Sequence, residues 1–99
     1  MTIKQTESLL RDRFDFLDDA KVKVADRGEQ YGSIADNFGK TATIWSAILG
    51  IDVTPAQVGL CMAGLKISRL TYDPQSEDGW VDLAGYAACG GEVTRPDDV

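Results

Sequence analysis

The segment LKISRLTYDPQSEDGWVDLAGYAA, residues 65–88, decides the fold of this chain. It places a cationic pair, Lys66 and Arg69, at helical spacing, and after a short turn an anionic pair, Asp78 and Asp82, also at helical spacing. Residues three or four positions apart share one face of a helix. The segment therefore predicts two neighbouring helices whose opposite charges meet, either as structural ion pairs or as part of a binding site.

Length and charge limit the functions that the chain can have. Its 99 residues are the size of one domain. The net charge of −6 argues against binding to a nucleic-acid backbone, so we predict no DNA partner. No apolar run approaches the roughly 20 residues of a membrane span, and the first residues, MTIKQTESLL, lack the apolar core of a signal peptide. We therefore expect a cytoplasmic protein with no membrane partner.

The residue types present exclude several kinds of chemistry. The chain has no histidine, so the commonest general base and the commonest transition-metal ligand are both missing. A metal would have to be a hard ion such as Mg²⁺, held by carboxylates. Cys61 and Cys89 lie in apolar helical contexts and are predicted to be reduced core residues. Nucleophilic catalysis finds no support, because no histidine is available to activate Ser, Thr or Cys and both cysteines are expected to be buried.

Apolar periodicity predicts four helices joined by short connections. They cover residues 3–26, 34–49 and 55–71, and the stretch between Ser76 and Gly90. Gly28 and the pair Gly90–Gly91 are predicted to end the first and last helices, with residues 27–32 as a connector. The third helix has the strongest start signal, since Thr54, Pro55 and Gln57 supply a cap, a first-turn proline and a closed capping box.

The expected fold class is all-α, a four-helix bundle with one domain over residues 1–91 and a polar tail over 92–99. The middle of the third helix, VGLCMAGLKI, is apolar nearly all round and is therefore predicted to be the central helix. Trp80 and Tyr86 are expected to pack into the core. The small size of the chain and the small residues of the third helix predict a homo-oligomer.

Five residues are candidates for ligand binding: Arg27, Tyr31, Lys66, Arg69 and Asp82. Lys66 and Arg69 can bind a phosphate, with Asp82 orienting the planar guanidinium fork. Arg27 and Tyr31 share the predicted connector, and the ring of Tyr31, like that of Trp45, offers a platform on which a base can stack. The structural alternative is that the charges form ion pairs between helices, which add little net stability, and that the aromatic residues belong to the core or an interface.

Several stretches resemble a known family. They are RGEQYG at 27–32, NFGKTATIWSAILG at 37–50, TPAQVGLCMAGLKISRL at 54–70 and DGWVDLAGYAA at 78–88. Together they resemble a family of small phage and prophage proteins, over most of residues 25–90. More distantly, the chain is similar to the MazG-like all-α nucleoside triphosphate pyrophosphohydrolases. That similarity rests on helix order and on the acidic pattern D-x-x-x-D-x-x-x-Y-A, here Asp78, Asp82, Tyr86 and Ala87.

The MazG-like resemblance implies a nucleotide substrate and a Mg²⁺ ion held by E-x-x-E and E-x-x-D pairs on adjacent helices. This chain departs from that pattern, because Lys66-x-x-Arg69 precedes the acidic helix and no E-x-x-E occurs anywhere. The remaining candidate metal ligands are Asp78 and Asp82, four positions apart, with Asp36 as a further carboxylate.

Three functions follow from these observations. The first is a phage-type nucleotide-binding protein related to the MazG-like group, in which binding ranks above catalysis; as an enzyme it would be a Mg²⁺-dependent pyrophosphohydrolase. The second is a non-catalytic sponge that sequesters a cyclic nucleotide or another nucleotide-derived signal of host anti-phage defence. The third is a structural or protein-interaction module. For a phage-encoded protein the expected location is the host cytoplasm.

Overall fold

The computed structural model describes residues 11–94, which form four α-helices and no strand. The helices are α1 (Arg13–Tyr31), α2 (Ile34–Leu49), α3 (Pro55–Tyr72) and α4 (Glu77–Val93). The all-α prediction is confirmed for this part of the chain. Residues 3–10 of the first predicted helix and 95–99 of the predicted tail lie outside the described residues. Within residues 11–94, no helix combines the length and apolarity needed to cross a membrane.

Side chains at the helix starts satisfy backbone N–H groups that have no partner inside the helix. Thr54 Oγ1 accepts a hydrogen bond from the Gln57 N–H at 3.2 Å, and Gln57 Oε1 accepts one from the Thr54 N–H at 2.9 Å. The predicted capping box of α3 is therefore confirmed. Ser33 and Ser76 cap α2 and α4 by accepting from the residue three positions on. Asp12 caps α1 in the same way.

The predicted end of the first helix is wrong. α1 continues through Gly28 and stops at Gly32, whose N–H donates to the Gly28 carbonyl at 3.0 Å. Residues 27–31, predicted as part of a connector, are thus the last turns of the helix. Gly32 has a φ of 86°, in the left-handed region that glycine adopts readily. Helical conformation at Gly28 costs only about 1 kcal/mol relative to alanine, so a glycine does not by itself end a helix.

The predicted end of the last helix is also wrong. α4 continues through Gly90 and Gly91 to Val93, which is buried. Gly90 lies close to Gly59 of α3: a Cβ added at Gly59 would be 3.0 Å from the Gly90 Cα. The close approach of α3 and α4 therefore uses glycine as a small packing residue inside the helix, and burial of Val93 favours one further turn.

The central helix is α4 and not α3, contrary to the prediction. α4 packs against α3, α1 and α2. In α3 only a narrow stripe is buried, formed by Val58, Gly59 and Leu70. The remaining apolar side chains of α3 include Leu60, which is 72% exposed, and Cys61 is exposed as well. The neighbouring helices therefore cover only part of the apolar surface of α3. Cys61 is exposed and is not the core residue that was predicted.

The core gathers side chains from α2, α3 and α4. Its buried members are Phe38, Ala42, Val58, Cys89 and Val93. Tyr86 and Trp45 are partly buried against this cluster. Trp80, expected in the core, is 45% exposed, and its indole N–H donates to the Pro74 carbonyl at 2.8 Å. The indole N–H needs a polar partner, and the turn before α4 supplies one.

The contact between α3 and α4 makes a prediction about Gly59. In Gly59→Ala the added Cβ would lie 3.0 Å from the Gly90 backbone and 3.3 Å from the Phe38 ring. We expect a loss of about 1–3 kcal/mol in the free energy of unfolding, measured by urea denaturation. Gly64→Ala, on the same helix, meets no atom within 4 Å. This control should be neutral or stabilise by up to ~1 kcal/mol; equal losses in both variants would contradict the tight contact.

Candidate functional site

Three helices meet at the carboxylate of Asp82. Its Oδ1 accepts a hydrogen bond from Lys23 Nζ of α1 at 2.5 Å, and its Oδ2 pairs with Lys66 Nζ of α3 at 3.0 Å. The side chains of Lys66 and Asp82 are only 15% and 18% exposed. Lys66 and Asp82 thus meet, as the opposite charges of the two helices were predicted to do.

The other two members of the predicted charge cluster do not join it. Within residues 11–94, no hydrogen bond or ion pair connects Asp82 with Arg69, or Arg69 with Asp78. The predicted role of Asp82 in orienting Arg69 is therefore wrong. Its two oxygens are taken by Lys23 and Lys66, and Arg69 is exposed on the other side of Lys66.

Two opposing effects set the charge state of Asp82. Partial burial by itself raises the pKa of the carboxyl. The hydrogen bonds from Lys23 and Lys66, and then their positive charges, outweigh burial and lower the pKa below its ordinary value. Asp82 is therefore ionised at neutral pH and holds both ammonium groups in place.

A cavity of about 260 Å³ opens beside this cluster. Arg27, Tyr31, Lys66 and Asp82 line it, so the structure brings together four of the five residues predicted to bind a ligand. The remaining one, Arg69, lines a neighbouring recess instead. The contacts place these residues around one space, while ligand binding itself stays a prediction.

The α1 side of the cavity carries Lys23, Arg27 and Tyr31 at steps of four residues. Such residues share one helix face, and they do so here because α1 continues through Gly28. Lys23 was missed in the sequence because residues 27–32 were predicted to be a connector. A helix continued through Gly28 would have placed Lys23 on the same face as Arg27 and Tyr31.

The cavity is cationic although the chain is acidic. Its charged lining residues are Lys23, Arg27, Lys66 and Asp82, three cations and one anion, in a chain of net charge −6. Tyr31 contributes an exposed ring, and Tyr86 a partly buried one. This combination suits a ligand that has both a negative charge and a flat ring.

The neighbouring recess has the opposite balance. It has a volume of about 360 Å³ and shares Lys66 and Asp82 with the cavity. Its own charged residues are Arg69, Asp73 and Asp78. With Lys66 and Asp82 included, three carboxylates and two cations line the recess. The recess is therefore the acidic side of the Lys66–Asp82 pair.

The predicted Mg²⁺ ligands do not form a metal site as they stand. Within residues 11–94, no three side chains of the types Asp, Glu and Cys come together in a way that could hold a metal ion. Both oxygens of Asp82 already accept from lysines. An ion at Asp78 and Asp82 would have to share the Asp82 oxygens with these ammonium groups, so Mg²⁺ binding by this pair stays a prediction.

Cys89 forms part of the inner wall of the cavity. Its side chain is buried, in agreement with the prediction. Burial raises the pKa of the Cys89 thiol, and the negative charge of Glu92 raises it further. The thiol is therefore protonated at neutral pH and is unsuited to be a nucleophile.

A model of the family described as "Domain of unknown function (DUF6378)" matches residues 15–94, which include every residue that lines the cavity. The chain belongs to the DUF6378 family. It is similar to the "Gene 55 protein" of Mycobacterium phage L5, with 36% identity over 73 residues, which are 73% of this chain and 47% of that protein. It is also similar to the "Gene 55 protein" of Mycobacterium phage D29, with 31% identity over 64 residues, 65% of this chain and 42% of that protein.

This DUF6378 chain thus spans about half the length of the curated relatives it matches. No solved structure matches it significantly. The matches support the predicted resemblance to phage proteins. None of them is to a MazG-like protein, so that part of the resemblance stays a prediction.

The ion pairs of Asp82 predict a pH dependence of stability. Its pKa is lower in the folded protein than the ordinary value of about 3.9. The stabilisation is therefore fully present above about pH 4 and is lost as the pH falls through the folded pKa. We expect Asp82→Asn to lower the free energy of unfolding at pH 7 by about 1–3 kcal/mol, since two ammonium groups lose their partner.

Urea denaturation of wild type and variant at pH 7 and near pH 3 measures this effect. The difference between them should shrink at the lower pH. Asp26→Asn is the matched control, because it makes the same charge change at an exposed position of α1. If Asp82→Asn lowers the free energy of unfolding equally at both pH values, the stabilising role of the Asp82 ion pairs is contradicted.

Proposed function

We propose that this DUF6378 protein binds a nucleotide in the cavity that is lined by α1, α2 and α4 and by Lys66 of α3. The observation that carries the proposal is the lining of a single cavity by three cations, one carboxylate and two tyrosines in an otherwise acidic chain. Charge-assisted hydrogen bonds from Lys and Arg suit a phosphate. The tyrosine rings suit a base, which stacks on an aromatic face without sequence-specific bonds.

The rest of the lining supports a ligand with a flat ring over a simple anion. Val24, Ile34 and Phe38 add apolar surface, and Asn37 adds an amide that can both donate and accept hydrogen bonds. Pockets for small molecules combine a mainly apolar wall with a few polar groups that fix orientation. An inorganic anion would leave this apolar surface without a partner.

Binding without turnover is the form of the proposal that the side chains favour. Asp82 is the only carboxylate that lines the cavity among residues 11–94, and both of its oxygens hold lysines. The two lysines also lower the pKa of this carboxyl, which makes Asp82 a weak general base. The distant MazG-like relationship remains part of the proposal, because two residues of that resemblance, Asp82 and Tyr86, line the cavity.

The second candidate is a sponge, a protein that sequesters a nucleotide without converting it. It is favoured because the only carboxylate that lines the described cavity, Asp82, is paired with two lysines. A protein that binds a nucleotide and does not convert it lowers the free concentration of that nucleotide. In the host cytoplasm, where we propose that the protein acts, this would remove a nucleotide signal of anti-phage defence. Retention of the intact nucleotide distinguishes a sponge from a pyrophosphohydrolase.

Nucleotide binding is tested by incubating the protein with nucleoside mono-, di- and triphosphates and cyclic dinucleotides, followed by calorimetry with each nucleotide retained. We expect at least one to be retained intact. Arg27→Ala should weaken its binding by about tenfold to a hundredfold, because a charge-assisted hydrogen bond contributes about 1.5–3 kcal/mol.

Lys21→Ala is the matched control, since it removes an exposed cation of α1 outside the cavity. Its effect should be less than about twofold, the size of a surface charge contribution. Retention of no nucleotide, or an equal loss in both variants, would contradict the proposed site. Release of monophosphate products in the presence of Mg²⁺ would establish an enzyme in place of a binder.

We also propose that the protein is a homo-oligomer. Large apolar side chains at the end of α2 and just after it are 58–74% exposed: Ile44, Ile48, Leu49 and Ile51. Contact with the same surface of a second copy would cover them, as in two-fold symmetric dimers.

Light scattering should give a mass above that of one chain, and Ile48→Asp should reduce it. Val22→Asp, at an exposed position of α1, should leave the mass unchanged. A monomeric wild type would contradict the proposal.

A further inference from the structure

We infer that the nucleotide bound in the cavity carries a single phosphate group. This inference rests on the proposed function and narrows the ligand to the nucleoside monophosphates. The phosphate lies against Lys23 and Lys66, with the base toward Tyr31. The acidic recess on the other side of Asp82 disfavours longer phosphate chains.

The charge of the cavity matches one phosphate. Lys23, Arg27 and Lys66 against Asp82 leave an excess of two positive charges. A phosphate monoester carries about −1.5 to −2 charges at pH 7, which this excess balances. Each further phosphate of a di- or triphosphate adds negative charge for which the described lining of the cavity has no additional cation.

The lysines can hold a phosphate without leaving Asp82. Each ammonium group has three N–H donors, and the structure shows the ion pair of each with one oxygen of Asp82. Donors therefore remain to be shared with a phosphate beside the carboxylate. Asp82 is a positioning residue in this arrangement, because it fixes where the two ammonium groups lie.

The recess opposes a longer phosphate chain. The recess adjoins the cavity through the shared residues Lys66 and Asp82, and Asp73 and Asp78 also line it. Only Arg69 is added there to offset these two carboxylates. Like charges placed against each other weaken binding and reject the wrong ligand, so the recess selects against triphosphates.

The size of the cavity also favours a single nucleotide as the ligand. From Lys23 to Tyr31 the face of α1 extends roughly 12 Å, at 1.5 Å for each residue. This length accommodates a phosphate, a ribose and a base in a row. The volume of about 260 Å³ lies just below the range of about 300–1,000 Å³ typical of pockets for drug-sized ligands. A single nucleotide therefore fits the cavity better than two joined nucleotides.

The test is calorimetry of the wild-type protein with the mono-, di- and triphosphate of each common base, with the unphosphorylated nucleosides, and with a cyclic dinucleotide. Chelator is present in one series and Mg²⁺ in another. For the preferred base, we expect the monophosphate to bind at least about tenfold more tightly than the triphosphate in both series. The nucleoside should bind at least about tenfold more weakly than the monophosphate.

Two variants test which residues make the cavity prefer a monophosphate to a triphosphate. Lys23→Met should weaken binding of the monophosphate and leave that of the nucleoside nearly unchanged, a comparison that remains valid if the variant is somewhat less stable. Asp78→Asn removes one carboxylate of the recess and should improve triphosphate binding more than monophosphate binding. Asp26→Asn, with the same charge change at an exposed position of α1, should leave the ratio as in the wild type.

The outcomes separate this inference from the proposed function. If no nucleotide of any length binds, both fail. If triphosphates or the cyclic dinucleotide bind as tightly as monophosphates, the protein is a nucleotide binder but the single-phosphate inference is overturned. If triphosphates bind more tightly only with Mg²⁺, the inference is also overturned, because an ion bound to the phosphates then offsets the charge of the longer chain.

Discussion

The arrangement of the helices depends on the two ion pairs that the Asp82 carboxylate forms. This carboxylate pairs with Lys23 of α1 and Lys66 of α3 while it belongs to α4, so three helices share one charged point. A partly buried carboxylate is costly unless it is paired and hydrogen-bonded, and here both oxygens are satisfied. The same pairs fix two ammonium groups at the wall of the cavity. Packing of the helices and the cationic character of the cavity therefore have a common cause.

The glycines of α3 and α4 make this contact possible. Gly59 faces Gly90 at one end of the helix pair, and Leu70 faces Gly79 at the other. Lys66 and Asp82 lie between these two contacts along both helices. Because the backbones approach closely at the glycines, the lysine reaches the carboxylate from the neighbouring helix. An acidic chain can in this way present a cationic cavity, through local geometry and not through its overall charge.

Much of the fold could be predicted from the sequence because several signals are local. The start of α3 depends on Thr54, Pro55 and Gln57, which lie within four residues of each other, and the bounds of α2 agree with the prediction for the same reason. The end of α4 depends on the tertiary contact of Gly90 with Gly59 and on the burial of Val93. Gly28 and Gly90 look like helix stops in the sequence, but the helices continue through both, to Tyr31 and Val93.

The candidate site was predictable in part for a related reason. Lys66 and Asp82 were found from helical spacing within one segment. Lys23 lies 59 residues from Asp82, and no local pattern links the two. Arg69 and Asp78 have the same spacing signal as their neighbours but face the recess, because spacing gives the face of a helix and not the distance to a partner. The apolar composition of α3 misled in the same manner, since composition does not tell how much of a helix its neighbours cover.

The end of α1 has a consequence for how this family can diversify. Arg27 and Tyr31 are exposed on the last turns of the helix, outside the buried core, whereas Gly32 sets the stop through a backbone conformation that other residues rarely adopt. Positions 27 and 31 can therefore change with little effect on stability, provided that position 32 remains glycine. Relatives that keep this glycine can change these two side chains of the cavity wall on an unchanged scaffold, so the cavity lining and the fold can evolve separately.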